Sequence, residues 1–111
     1  MTNTILQINL TYDCSQAELE AAFSHAAGAI APFPGLTWKI WIINDEMKEA
    51  GGLYCFESEI ALTNYINSPI MATLKAHPLL KNVDVKAFGA IAALTAQTRG
   101  PIPVLPTSLG A

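Results

Sequence analysis

Apolar and polar positions alternate over residues 4–12, with Leu6, Ile8, Leu10 and Tyr12 on one side and Gln7, Asn9 and Thr11 on the other. That period of two predicts a strand with two unlike faces. The period then changes. Leu19, Ala22, Phe23, Ala26 and Ile30 recur at helical spacing, forming one apolar stripe. Ser15 and Glu18 just ahead of them make a capping box, each satisfying an amide donor at the helix start. Pro32 and Pro34-Gly35 end the helix and turn the chain. Residues 36–44 read as a second strand, with Trp38, Ile40 and Ile42 on one face and Lys39, Trp41 and Ile43 on the other. A polar connection over 44–50 leads to Gly51-Gly52, which opens a third strand over 53–57; so short a link predicts an antiparallel hairpin. Ser58 caps a helix carrying Ala61, Leu62, Tyr65 and Ile66, and Ser68-Pro69 is a second cap with proline in the first turn. The second helical region therefore breaks near Ser68 and resumes through Ile70, Met71 and Leu74 until His77-Pro78. Residues 83–91 alternate again as a fourth strand.

The order β-α-β-β-α-β predicts an α+β, ferredoxin-like domain over residues 1–94 with an antiparallel four-stranded sheet. Right-handed crossovers put both helices on the same face of it. Residues 95–111, with Pro101, Pro103 and Pro106 and no periodicity, read as a Pro-rich C-terminal tail. Ile102, Val104 and Leu105 would suit an extended arm across a partner, and a disordered tail is the alternative. The aliphatic sets led by Leu6, Ile40, Leu53 and Val85, with Cys55 among them, suit the helix-covered side. The opposite side would then carry Gln7, Asn9, Lys39, Trp41, Tyr54, Phe56, Lys86 and Phe88. Such a face is too aromatic for water and too polar for a core. Two copies packed sheet to sheet would bury the aromatics and leave a polar-lined cavity, which predicts a homodimeric α/β barrel. A shift of one residue would exchange the two faces. The plainer reading stands beside this one: the aromatics serve as interface packing, the lysines reach a solvent rim, and Asn9 and Gln7 satisfy each other or a buried water.

Composition sharpens the picture. Of 111 residues 51% are hydrophobic and 14% charged, so some apolar surface is expected to meet a partner. A net charge of −3 and six scattered Lys and Arg residues argue against nucleic acid. No apolar run reaches the length of a membrane span and the N-terminus lacks the pattern of a signal peptide, so a cytoplasmic protein is expected. Cys14 and Cys55 are isolated and read as free thiols, and no metal-ligand spacing is present. No Gly-rich nucleotide loop follows the first strand. His25 reads as surface and His77 as a residue at a helix end.

The stretches Pro34-Gly35-Leu36-Thr37-Trp38-Lys39-Ile40-Trp41, Ala50-Gly51-Gly52-Leu53-Tyr54-Cys55-Phe56 and Val85-Lys86-Ala87-Phe88, with Leu6-Gln7 and Glu46, resemble the YdhR-like mono-oxygenase family of the dimeric α/β barrel superfamily. The resemblance implies a homodimer and mono-oxygenation with no bound metal or flavin, hence no cofactor. The substrate must then supply the electrons, which favours an acidic, electron-rich aromatic such as an anthrone or quinol. Lys39, Lys86 and Asn9 are the candidate catalytic residues, the lysines for proton transfer or charge stabilisation. Gln7 would add a hydrogen bond, and Trp41, Tyr54, Phe56 and Phe88 would wall the pocket. Two other readings remain: a non-catalytic dimer that binds a small ligand, and a haem-binding oxygenase with His77 as axial ligand.

Overall fold

The computed structural model describes residues 2–102. Its elements are β1 (Asn3–Tyr12), α1 (Gln16–Ile30), β2 (Leu36–Asn44), β3 (Glu49–Phe56), α2 (Glu59–Ile66), α3 (Pro69–Ala76), β4 (Leu80–Gly89) and α4 (Ala92–Gln97). The sheet is antiparallel throughout, in the order β2-β3-β1-β4. This is the expected ferredoxin-like α+β arrangement. Local signals explain where its helices begin. Glu18 N–H donates to Ser15 Oγ at 3.1 Å and the Glu18 carboxylate accepts from Ser15 N–H at 3.3 Å, closing the capping box. Ala61 N–H donates to Ser58 Oγ at 3.1 Å. At the α2–α3 break Ser68 Oγ turns back to donate to the Tyr65 carbonyl at 2.7 Å, and Pro69 starts α3, where its missing N–H costs nothing.

Two stretches differ from expectation. The β2–β3 connection is only a tight turn, because Met47 N–H donates to Asn44 Oδ1 at 3.2 Å and Lys48 takes a φ of 55°, so Gly51 and Gly52 lie inside β3. Its base is clasped to β1: Tyr12 Oη donates to Asp45 Oδ1 at 2.6 Å, and Lys48 Nζ donates to Asp45 at 3.2 Å and to the Cys14 carbonyl at 3.3 Å. Burial first, and then the bond to Asp45, push the Tyr12 hydroxyl up to about 12, while the bonds from Tyr12 and Lys48 hold the Asp45 carboxyl below its ordinary value. The second difference follows β4. Residues 92–97 form α4, a short helix with no side-chain cap, where an irregular tail was expected to begin at residue 95. The chain then reaches across the sheet, and Trp38 Nε1 on β2 donates to the Pro101 carbonyl. Val104 and Leu105, expected in an arm, lie outside the described residues.

The core lies between the sheet and the helices. One cluster joins Leu6, Ile8, Tyr54 and Phe56 of the sheet to Ile30, Leu62, Tyr65 and Met71 of the helices. A second, around Leu10, Tyr12, Leu19 and Leu80, closes the other end. Strand register decides which residues face the helices. Leu6 pairs with Tyr54 and Ile8 with Gly52; across β3, Lys39 pairs with Tyr54 and Trp41 with Gly52. Paired residues share a face. The helix side is therefore Leu6, Ile8, Tyr54, Phe56, Lys39 and Trp41, with Val85 and Ala87 of β4.

This overturns the expected division of the sheet. β1 and β4 face as predicted, but β2 and β3 are turned over. Lys39, Trp41, Tyr54 and Phe56 stand on the helix side, whereas Ile40, Ile42, Leu53 and Cys55 stand on the other. The expectation that aliphatic residues mark the helix side fails because the helices do not close against β2 and the adjoining part of β3 around Gly52. A hollow remains there, and aromatics line it. Cys55 is buried, as expected, but on the other face, paired with Ile5 and Trp38 at the end that the segment after β4 crosses. Burial pushes its thiol up.

Candidate active site

The hollow is a cavity of about 500 Å³ between α1, α3 and the β2–β3 half of the sheet. Its floor is Ile8, Lys39, Trp41, Gly52 and Tyr54; its roof is Phe23, Ala26, Ile70 and Leu74, with His25 and His77 also lining it. Phe23 of α1 meets Trp41 with ring centroids 4.9 Å apart, closing one wall. Behind Tyr54, Phe56 stacks at 6.0 Å and 8°, and Phe33 and Tyr65 complete an aromatic cluster. The Tyr54 and Tyr65 hydroxyls hydrogen-bond to each other at 3.1 Å. Burial pushes both phenols well up, so they stay protonated across the neutral range.

Lys39 is the centre of this arrangement. It leaves an edge strand, and its stem crosses the floor over Gly52. A Cβ at Gly52 would lie 2.6 Å from Lys39 Cε, so any larger residue would push the lysine off the floor. The ammonium rests 3.2 Å from the Trp41 ring centroid and 4.5 Å from that of Tyr54. Among the described residues no carboxylate pairs with it and none lines the cavity. The ring faces return about 1–2 kcal/mol to the cation. Lost hydration outweighs this, and desolvation lowers the amine from 10.5 to about 7. Near neutral pH the cavity thus holds a titrating amine and two protonated phenols, with His25, His77 and Thr73 among otherwise apolar walls.

The expected site residues divide between two places. Lys39, Trp41 and Tyr54 come together in the cavity. Phe56 is on the same side but packs wholly in the core behind Tyr54 and does not line it. Gln7, Asn9, Lys86 and Phe88 lie on the opposite face, separated from Lys39 by the thickness of the sheet. Lys86 is paired there with Asp84 at 3.6 Å, its side chain 63% exposed. A single site containing both lysines is thereby excluded, because alternation sends them to opposite faces. Sequence reasoning missed Gly52, Tyr65, Phe23 and the two histidines as lining residues. Gly52 carried the available signal: a glycine inside a strand makes room for a neighbouring group to lie across the backbone.

His77 follows α3, and its Nδ1 accepts from Leu79 N–H at 3.2 Å. His77 thus lacks the Nδ1–H donor bond that usually orients a metal-bound histidine. Among the described residues no three His, Cys, Asp or Glu side chains cluster as a metal site. No helix is long and apolar enough to cross a membrane among the described residues.

Solved structures with the same fold include SnoaB, a cofactor-independent oxygenase from Streptomyces nogalater, at 18% identity and a TM-score of 0.65 over 81% of this chain and 94% of that one. The haem degrader MhuD from Mycobacterium tuberculosis, with two haems bound in its active site, is similar at 22% identity and a TM-score of 0.61, covering 78% and 95%. A protein of unknown function from Nitrosomonas europaea matches at 24% identity and a TM-score of 0.59, covering 81% and 92%. None of the curated proteins matches by sequence. A family model described as "Putative mono-oxygenase ydhR" matches residues 5–101, nearly the whole described chain, and the protein belongs to that family.

Proposed function

We propose that the cavity carries out cofactor-independent mono-oxygenation of a small electron-rich aromatic, anthrone- or quinol-like. The observation that carries this reading is Lys39: a largely desolvated amine near neutrality in a mostly apolar, aromatic cavity of suitable size. The amine takes the acidic proton of the substrate, and the resulting ammonium holds the enolate or phenolate. The anion passes one electron to dioxygen, and recombination at carbon gives a peroxide. Loss of water from it leaves one oxygen atom in the quinone product, so an anthrone CH2 and O2 become C=O and H2O. Trp41 and Phe23 wall the ring, and Tyr54 offers a protonated phenol. Oxygen uptake on a panel of phenols and anthrones, in chelator-treated protein, tests this. Uptake equimolar with substrate, lost in Lys39→Met, is expected. No uptake on any member, or uptake that survives Lys39→Met, would sink it.

We also propose a homodimer formed through the other face of the sheet. Ile40 is 48% and Phe88 45% exposed there, with Leu53 and Ile42 beside them, a band too apolar to be left in water. On this reading Gln7, Asn9 and Lys86 belong to the subunit contact and not to the chemistry. Sedimentation of the purified protein checks it, and a monomer at micromolar concentration would refute it.

A further inference from the structure

The chain has five lysines, and their surroundings differ sharply. Lys48 pairs with Asp45, Lys81 with Asp13 and Lys86 with Asp84. Lys75 is exposed in the last turn of α3. Lys39 alone of the five lines a cavity, and its partners are ring faces. The other titratable groups lining that space are Tyr54, Tyr65, His25 and His77.

We propose that Lys39 is a carbonyl-capture site, at which its amine forms a reversible imine with a small aromatic aldehyde or ketone seated in the cavity. The nitrogen attacks the carbonyl carbon to give a carbinolamine, which loses its hydroxyl as water; no electrons are exchanged and no co-reactant is needed. Four features favour the reaction here. With an amine near 7, about half of Lys39 is unprotonated at neutral pH, whereas an ordinary lysine near 10.4 is unprotonated in only about one molecule in 2,500. Apolar walls hold the ring of the carbonyl compound beside the nitrogen. The mostly apolar lining favours loss of water. The imine is neutral unless protonated, which spares the cavity a buried charge, and when it is protonated the faces of Trp41 and Tyr54 offset part of that cost. The proposal uses the same cavity as oxygenation but none of its oxygen chemistry, so the two can fail separately.

The test is reductive trapping in oxygen-free buffer at pH 7. The full-length protein is mixed with one equivalent of 2-naphthaldehyde and cyanoborohydride, then read by intact mass and peptide mapping. Lys39 should be labelled at least tenfold faster than Lys48, Lys75, Lys81 or Lys86. Its rate should be half-maximal near pH 7, and naphthalene should slow labelling at Lys39 but not at the other four. Lys39→Arg, which keeps the charge but cannot form the imine, should lose the fast adduct. Label spread evenly over the lysines, Lys39 labelling that rises only above about pH 9, or indifference to naphthalene would each overturn the proposal. Selective labelling without oxygen uptake on any phenol would keep capture and remove the oxygenase reading. Uptake without selective labelling would do the reverse.

Discussion

Lys39 and Lys86 stand on opposite faces of the same sheet, and the two faces treat a lysine in opposite ways. On the helix side Lys39 has lost water and gained only aromatic rings, and its amine falls to about 7. On the other side Lys86 keeps water and an Asp84 carboxylate, the ordinary condition of a surface lysine. Neither difference resides in the residue type. Gly52, the roof of α1 and α3, and the absence of a carboxylate among the lining residues lower the amine of one lysine and not the other. The lesson is that a candidate base is found by asking what surrounds it, since the chemistry comes from what the fold withholds.

Substitutions can break this contrast or sharpen it. The largest effect expected is on turnover: Lys39→Met should lower oxygen uptake by about 10³-fold, while Lys86→Met changes it less than about twofold, as read with an oxygen electrode. Stability should respond next. Because the folded-state amine lies below its unfolded value, the buried ammonium costs stability below about pH 7, and the cost fades as pH rises from there towards 10.5. Lys39→Met should therefore raise stability by about 2–4 kcal/mol at pH 6, with the gain vanishing above pH 10.5 in denaturant titrations. A stabilisation independent of pH would mean the amine is not desolvated. On the far face, Ile40→Asp should weaken self-association at least about tenfold by sedimentation, since it places a carboxylate in an apolar contact, and leave Lys39 chemistry in place. The smallest effect is expected at the turn clasp. Asp45 is held below its ordinary value, so what it contributes is present above about pH 4 and lost on acidification. Asp45→Asn should lower neutral stability slightly and flatten the acid limb of the unfolding profile, converging on the wild type as pH falls below about 4.

Much of this fold was legible in the sequence. Ser15 with Glu18, Ser58, and Ser68 ahead of Pro69 marked helix starts through bonds the backbone requires, and the alternation in β1 was unambiguous because Leu6, Ile8 and Leu10 oppose Gln7 and Asn9. The orientation of β2 and β3 was not legible. In Trp38-Lys39-Ile40-Trp41-Ile42-Ile43 both alternating sets are largely apolar, so the pattern does not say which one meets the helices. A cavity reverses the usual rule, since its floor is built from Lys39, Trp41 and Tyr54 while Ile40 and Leu53 are turned away. Three of the residues singled out in the sequence, Lys39, Trp41 and Tyr54, therefore do meet in one cavity, but on the face opposite to the one expected. α4 escaped notice because Ile91 offers no capping side chain and six residues are too few to display a period.

The segment that leaves β4 at one edge of the sheet and meets Trp38 on the opposite edge acts as a crossbar. A docking surface must approach the sheet from one side of that bar, where Ile40, Leu53 and Ile42 lie. The bar therefore limits how much of this face is open, leaving the β2–β3 half beyond it uncovered. Shortening it would take away the acceptor of the Trp38 indole and open the end of the face where Trp38 pairs with Cys55.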